Sequence, residues 1–206
     1  EVCLVDGLMS EPLLSILETS CCRDFADAWN RWRGTSVAPK RNDIRLEEIA
    51  RWLSLLSVLE IRSREEQVFR LVGTQINEAR GRELTGVTLK ELSRPEDWPA
   101  RSRVNEAMAA QPCGITFRAN FRYSVGEDAV SEYLCLPVFP NDPGAPVQLF
   151  TIRQPMRNVS MQLPQLDPDK NPVGDDNRFV DIGAGVPDLT LLPEPILPVS
   201  LLRPTP

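Results

Sequence analysis

The amino-acid sequence predicts an α+β protein built on a five-stranded antiparallel sheet with short helices on one face. Residues 115–123 alternate strictly between apolar and polar side chains, which is the pattern of a strand with one buried and one solvated face. The strand patterns fall into two groups, 57–72 and 115–153, and helical patterns lie before the first group and between the two. Hairpin-like strand groups separated by helices indicate an antiparallel sheet. With 206 residues, the chain suits one domain with extensions.

An amphipathic helix is predicted in residues 23–33, ahead of the sheet. Phe25, Trp29 and Trp32 recur at i, i+4 and i+7, so they lie on one helical face. A second helix in residues 43–53 repeats the spacing with aliphatic side chains. The aromatic face of the first helix is expected to pack across its own sheet. The alternative is that it packs on a second copy of the chain and forms a homodimer.

The stretch 68–86, VFRLVGTQINEARGRELTG, combines a strand with a series of turns. Its first residues continue a strand that ends at Gly73. A one-turn helix follows, and Gly81 is expected to end it in the left-handed conformation that glycine adopts without strain. Thr88 and Glu91 then have the spacing of a capping box, which predicts another short helix.

One longer helix and three strands are predicted after this stretch. The helix begins at a Ser93-x-x-Glu96 capping box and ends before Pro112. The alternating strand described above comes next, and strands at 132–139 and 147–153 follow it. Polar and Pro/Gly-rich turns separate these strands, as in hairpins.

The composition changes from about residue 155 onwards. Ten of the nineteen prolines lie in residues 155–206, and no amphipathic period is visible there. Proline at this density disfavours both helices and sheet ladders. We therefore divide the chain into an N-terminal extension (1–22), a domain (23–154) and a disordered or loosely docked Pro-rich tail (155–206). Removal of the tail after Gln154 is expected to leave the melting temperature nearly unchanged.

Charge and composition exclude several classes of function. The net charge is −6, and the basic residues, nearly all arginine, are interspersed with acidic ones. No basic patch of a nucleic-acid-binding protein is indicated. The chain has no histidine, which removes Ser-His-Asp triads, His-ligated haem and the usual zinc sites. No arrangement brings a nucleophile and a base together, so no catalytic residues, no metal ligands and no enzymatic activity are expected.

The five cysteines indicate a cytoplasmic protein with reduced thiols. Their number is odd and none has Cys-x-x-Cys spacing. Adjacent Cys21 and Cys22 are read as ordinary thiols, with a redox pair as the less favoured alternative. No stretch has the length of a transmembrane helix, and the N-terminus lacks the features of a signal peptide. Met9 suggests a natural start, with residues 1–8 as an upstream remnant.

Four motifs in the same order resemble the PAS_5 family, a PAS-type sensory domain common in alphaproteobacteria. The resemblance covers residues 24–153 or so. The motifs are Trp29-Asn30-Arg31-Trp32-Arg33-Gly34, then Pro39 with Arg41 and Asp43, then a strand at Val58 to Ile61, and finally FRLVGT followed by GRELTG. The resemblance implies a PAS-like fold and a sensory or scaffold function, and it leaves the signal unnamed.

The resemblance places a ligand pocket between the sheet and the short helices of residues 74–92. The candidate lining residues are Phe69, Leu71, Ile76, Leu84, Phe117, Phe121 and Leu134. The alternative for each of them is that it fills a closed hydrophobic core.

Three arginines cluster around the FRLVGT–GRELTG signature. Arg70 and Arg82 are candidates for pairing with an anionic ligand or with a partner's carboxylate. Their alternative roles are a solvated sheet residue for Arg70 and a turn-stabilising residue for Arg82. For Arg80 we favour a structural role.

Two functions remain open on the sequence alone. The first is a stand-alone PAS-type module that binds a small metabolite or a protein partner and signals through dimer or partner contacts. The second is an interaction scaffold with a filled core and no ligand. No cofactor is expected, because haem lacks a histidine ligand and the helical turn 75–80 lacks the reactive cysteine of a flavin photosensor.

Overall fold

A single antiparallel sheet organises the chain. The structure, a computed structural model, describes residues 11–122, 128–156 and 173–188. The sheet has six strands in the order β2-β1-β5-β4-β3-β6, and every neighbouring pair is antiparallel. The strands are β1 (Leu56–Ile61), β2 (Gln67–Val72), β3 (Gly114–Arg122), β4 (Asp128–Val138), β5 (Val147–Pro155) and β6 (Val173–Val180).

Short helices precede and separate the strands, which confirms the predicted α+β class. Two single 3-10 turns, Arg41–Asp43 and Ala50–Trp52, flank the third helix. The helices are α1 (Glu11–Ile16), α2 (Ser20–Arg33), α3 (Leu46–Ile49), α4 (Thr74–Arg80) and α5 (Trp98–Ala110). In the described part of the chain, every helix falls short of the length and apolarity that a membrane-spanning segment needs.

The strand count differs from the prediction by one. Residues 173–180, which the sequence assigned to a disordered or loosely docked tail, form β6 and pair with β3. Val180 and Ile182 are buried in the same hydrophobic cluster as α2. The backbone carbonyl of Ile182 also accepts a hydrogen bond from Arg33 Nη1, at 2.9 Å. The boundary at residue 154 stays a prediction, and residues 157–172 and 189–206 lie outside the described chain.

Three helix predictions need correction. The first concerns α3, which ends at Ile49 and continues as a 3-10 turn, so that Leu46 is 76% exposed while Trp52 is buried. The second concerns Thr88 and Glu91, which form reciprocal capping hydrogen bonds but are followed by turns rather than a helix. The third concerns α5, which begins at Trp98 rather than after Ser93. The Thr88–Glu91 capping hydrogen bonds form without a helix after them, so tertiary packing rather than capping decides whether a helix follows.

The two faces of the sheet are covered by different helices. We call the side against α2 the α2 face and the side against α5 the α5 face. Strand residues alternate between the faces because the side-chain period of a strand is two. The buried strand residues of the α2 face include Leu56, Val58, Leu134, Leu136 and Ile152. Those of the α5 face include Leu59, Ile61, Ile115, Cys135 and Leu149.

A buried carboxylate connects the start of α2 to the sheet. Glu132 of β4 is 2% exposed and accepts hydrogen bonds from the backbone N–H groups of Glu18, at 2.7 Å, and Thr19, at 2.8 Å. The Thr19 hydroxyl donates to the same carboxylate and also accepts from the Cys22 N–H, as an N-cap does. The first turn of α2 is thereby held against the middle of the sheet.

Replacement of Glu132 by glutamine is expected to lower the free energy of unfolding by about 2 kcal/mol. Oε2 accepts from two groups of Thr19, and an amide nitrogen in either position leaves at least one donor without an acceptor. Urea denaturation measures the change. The matched control is Glu106→Gln on the exposed side of α5, which is expected to be neutral. Equal stability of the two variants would show that the buried carboxylate is dispensable.

Candidate functional site

The α2 face is closed by the chain's own aromatic side chains. Phe25 and Trp29 are fully buried, and Trp32 is buried as well. Phe25, Trp32 and Trp52 meet edge to face, with ring centroids 5.4 to 6.3 Å apart. The indole N–H of Trp29 donates to the carbonyl of Pro137 in β4, at 2.9 Å. The aromatic face of α2 therefore lies on its own sheet, as favoured from the sequence, and a homodimer through the N-terminal helix stays a prediction.

The α5 face is apolar at one end. Leu59 and Ile61 of β1 pack there with Met108 of α5, and Phe69 and Leu89 pack against the edge of this cluster. Gln67 is also buried here, and its side-chain N–H donates to the Ser102 carbonyl of α5 at 2.8 Å. This end of the face is filled by close packing.

The other end of the α5 face carries aromatic and cationic side chains. Tyr133 lies directly opposite Phe117 in β3 and Arg153 in β5. The rings of Phe117 and Tyr133 are stacked, with centroids 4.6 Å apart and planes 6° from parallel. Arg153 is 5% exposed, and its Nε donates to the Ser131 hydroxyl at 3.3 Å.

Two further arginines approach this end from the helices. Arg80 is the last residue of α4, and Arg101 lies in the first turn of α5. Burial holds the pKa of Arg80 below its ordinary value. The charges of Arg101, Arg153 and Arg82 act in the same direction, and Tyr133 opposes them. We call Arg80, Arg101 and Arg153 the arginine cluster.

The members of the arginine cluster differ in their partners. Burial also lowers the pKa of Arg101, while nearby Asp97 and Tyr133 favour its charge. Arg101 Nη1 donates to the Ser93 hydroxyl at 3.2 Å. Within the three described ranges, Arg80 forms neither a hydrogen bond nor an ion pair through its guanidinium. A partly desolvated cation of this kind favours an anion beside it.

Two glycines shape the chain that presents Arg80. A Cβ on Gly73 would lie 2.2 Å from the backbone carbonyl oxygen of Leu53, so only glycine can pass at this point between β2 and α4. Gly81 has φ of +67° and caps α4 by donating to the carbonyls of Asn77 and Glu78, which confirms the expected left-handed residue. The turn after the cap is held by Glu83, whose carboxylate accepts from the Asn77 side chain at 2.8 Å.

The predicted pocket residues do not form one group. Phe69 and Phe117 lie on the α5 face, at its apolar and cationic ends respectively. Leu71 and Leu134 lie on the α2 face, in or against the cluster that contains α2. The structure thus separates Leu71 and Leu134 from Phe69 and Phe117 by the thickness of the sheet.

The remaining pocket candidates lie around α4 and at the end of β3. Ile76 is half-buried in α4, and Leu84 is 2% exposed in the turn that follows. The backbone of Phe121 belongs to β3, whereas its side chain lies outside the described residues. Neither Ile76 nor Leu84 shares a described hydrophobic cluster with Phe69.

The three arginines of the signature lie in different surroundings, and a ligand-binding role for Arg70 and Arg82 stays a prediction. Arg70 is exposed and pairs with Glu60, at 3.6 Å between Nε and Oε2. Burial pushes the pKa of Glu60 upwards, but hydrogen bonds from Arg62 and Gln148, together with the Arg70 charge, lower it overall. Arg82 is exposed in the turn after α4. Arg80, for which the sequence favoured a structural role, is the one that approaches Tyr133. Local sequence gave no signal for this, because Arg101 and Arg153 are distant in the chain.

Three of the four cysteines that the structure describes are buried, and Cys21 is half-buried. Four of them, Cys21, Cys22, Cys113 and Cys135, are free thiols in the described chain. Burial raises the pKa of Cys21 and of Cys135 to about 11 and that of Cys113 to about 12. Burial likewise raises the pKa of Cys22. These thiols stay protonated at neutral pH, which disfavours the redox-pair alternative for Cys21 and Cys22.

Metal binding has no visible basis in the described part of the chain. No three side chains of Asp, Glu, Cys or His type come together there.

An antiparallel sheet with short helices on the α5 face and an N-terminal helix behind it is the architecture of a PAS-type sensory or interaction module. The family model PAS_5, described as a PAS domain, matches residues 17–152. The chain belongs to the PAS_5 family. PAS domains are in general non-enzymatic signalling modules that mediate sensing or protein interaction. No curated protein matches the sequence.

Proposed function

We propose that this protein is a sensory or regulatory PAS module that receives a small organic ligand or a protein partner on the α5 face. One observation carries the proposal. The α2 face is closed by buried aromatic rings, whereas the α5 face ends in a cluster of partly buried arginines around Tyr133. Convergent polar groups beside an apolar surface are typical of binding sites rather than of cores.

The ligand expected here is an organic molecule or a protein group rather than haem, flavin or a metal. The chain supplies no histidine for haem or metal, and α4 holds no cysteine for a flavin photosensor. Catalysis is not part of the proposal. The output would pass to a partner protein or through a change in self-association. The cytoplasmic location expected from the sequence stays a prediction.

A second function is supported by the filled end of the α5 face. Leu59, Ile61 and Met108 pack there without leaving polar groups to a ligand. A protein whose whole α5 face behaved in this way would be an interaction scaffold with no ligand. The arginine cluster argues against this alternative, because an apolar filler would stabilise a scaffold better than partly desolvated cations do.

Native mass spectrometry of the protein purified from its own host separates the two functions. A bound small molecule, or a retained partner lost on mutation of the arginine cluster, supports the module. A bare chain, together with wild-type partner binding after mutation of the cluster, supports the scaffold. The same spectra report whether the protein is a monomer or a dimer.

Replacement of Gly81 by alanine is expected to cost about 1 kcal/mol of stability and also to weaken binding at the α5 face. The cost arises because a side chain disfavours the positive φ, and the binding loss arises because the cap positions Arg80. Gly144→Ala is the matched control, since Gly144 also has positive φ, +86°, but lies in the β4–β5 turn. It should lose similar stability and keep its affinity. Equal affinities of the two folded variants would contradict a role for the α4 turn in binding.

A further inference from the structure

We propose that the arginine cluster binds a small organic oxyanion, with a carboxylate or phosphate group held by Arg80 and Arg101. The inference rests on the proposed function and deepens it by naming the chemistry of the ligand. The anionic group would lie between the end of α4 and the start of α5, and its organic part would lie towards Phe117 and Tyr133.

Four separate elements bring the site together. Arg80 comes from α4, Arg101 from α5, Tyr133 from β4 and Arg153 from β5. Arg80 and Arg101 both interact electrostatically with Tyr133. Arg80 also interacts electrostatically with Arg101 and Arg153. Groups that converge from distant parts of the chain are positioned by the fold as a whole, so their juxtaposition does not follow from local sequence.

Arg80 differs from several other arginines of the described chain in having no ion pair with a carboxylate there. Ion pairs with glutamates are formed by Arg31, Arg45, Arg62, Arg70 and Arg118. Arg80 has no such pair among the described residues, although burial disfavours its charged form. Guanidinium remains protonated even so, because its ordinary pKa lies far above neutral pH. A bound anion would supply the missing opposite charge.

The chemistry of the surrounding groups favours an organic anion over a simple inorganic one. A guanidinium presents parallel N–H donors that match two oxygens of a carboxylate or phosphate. The stacked rings of Phe117 and Tyr133 lie on the same face and provide an apolar surface beside these donors. Several cations at one site also favour a ligand with more than one negative charge, since each additional charge reduces their mutual repulsion.

Binding of benzoate, succinate, phenyl phosphate and inorganic phosphate to the full chain tests the proposal. Isothermal titration at constant ionic strength gives the affinities, with benzamide as the uncharged analogue of benzoate. We expect at least one organic anion to bind and benzamide not to bind. Arg80→Gln and Arg101→Gln should each lower the affinity for that anion by about tenfold or more, since each removes a charged hydrogen-bond donor. Arg41→Gln, an exposed arginine outside the cluster, is the matched control and should bind as the wild type.

The stability of the ligand-free variants is the second measurement, because it distinguishes loss of binding from loss of folding. Without ligand, Arg80→Gln should be as stable as the wild type or more stable, because it removes a desolvated charge. Loss of anion binding in a variant of unchanged stability therefore supports a binding role. A large loss of stability in ligand-free Arg80→Gln would show that the guanidinium holds the fold together, and it would overturn the proposal.

The remaining outcomes separate the inference from the proposed function. Equal weakening by Arg41→Gln would reveal non-specific attraction and overturn the inference. A neutral ligand found by native mass spectrometry, with affinity unchanged in Arg80→Gln, would leave the module intact and refute the oxyanion. A preference for benzoate or succinate over phenyl phosphate would assign the carboxylate class, and the reverse preference would assign the phosphate class.

Discussion

Replacement of Trp29 by alanine is expected to lower the free energy of unfolding by about 4 kcal/mol. The indole is fully buried between α2 and the sheet, and its N–H satisfies the carbonyl of Pro137. Truncation removes a fully buried indole from the α2 face and leaves that carbonyl without its side-chain donor. Trp32→Ala should cost about 3 kcal/mol or more, because it removes two edge-to-face ring contacts.

Chemical denaturation at several protein concentrations measures both effects. Leu46→Ala is the control, since Leu46 is 76% exposed and close to the same layer of helices. It is expected to change stability by less than about 0.5 kcal/mol. If Trp29→Ala instead left the monomer stable and shifted a monomer–dimer equilibrium in sedimentation, α2 would pack on a second copy in solution and the arrangement described here would be wrong.

Removal of all residues after Met156 is expected to lower the melting temperature by about 10 °C. The deletion removes β6, exposes the edge of β3 and withdraws Val180 and Ile182 from the core. Burial of two such side chains contributes about 3 to 5 kcal/mol, and each kcal/mol corresponds to about 2 to 4 °C in a protein of this size. This expectation reverses the one drawn from the Pro-rich composition.

A chain that ends at Asp188 is the control for the truncation. It keeps β6 and the turn with Ile182, so its melting temperature should stay close to that of the full chain. Differential scanning calorimetry of the three proteins decides the matter. Equal melting temperatures for the chain ending at Met156 and the full chain would show that β6 adds nothing to the fold.

Sequence reasoning succeeded where one face of an element is buried and the pattern is local. Strict alternation located β3 to within a residue, and the aromatic spacing of α2 predicted the side chains that lie on the sheet. It failed at β6, whose sequence VGDDNRFV has little alternation. An edge strand needs only one partner, so its conformation is decided by pairing with β3 rather than by its own propensities.

The site could be predicted in class but not in detail. A pattern of period two separates the two faces of a strand without telling which face meets which helix. The sequence therefore groups Leu71 and Leu134 with Phe69 and Phe117, which lie on the other side of the sheet. A bulge between β1 and β2 at Val58 and Leu59 further changes the register in this region.

Glu132 and Tyr133 are neighbours in β4, so their side chains leave the strand on opposite sides. One holds the first turn of α2, and the other lies beside the arginine cluster. A single peptide unit of β4 therefore connects the residue beside the proposed ligand, Tyr133, with the residue that holds the N-terminal helix, Glu132. A displacement of Tyr133 along the strand would also shift Glu132 and alter the hydrogen bonds that fix α2. Measurement of amide exchange in α2 with and without a bound anion would reveal this change. The proposed ligand site and the contact that fixes α2 are thus connected by two adjacent residues of one strand.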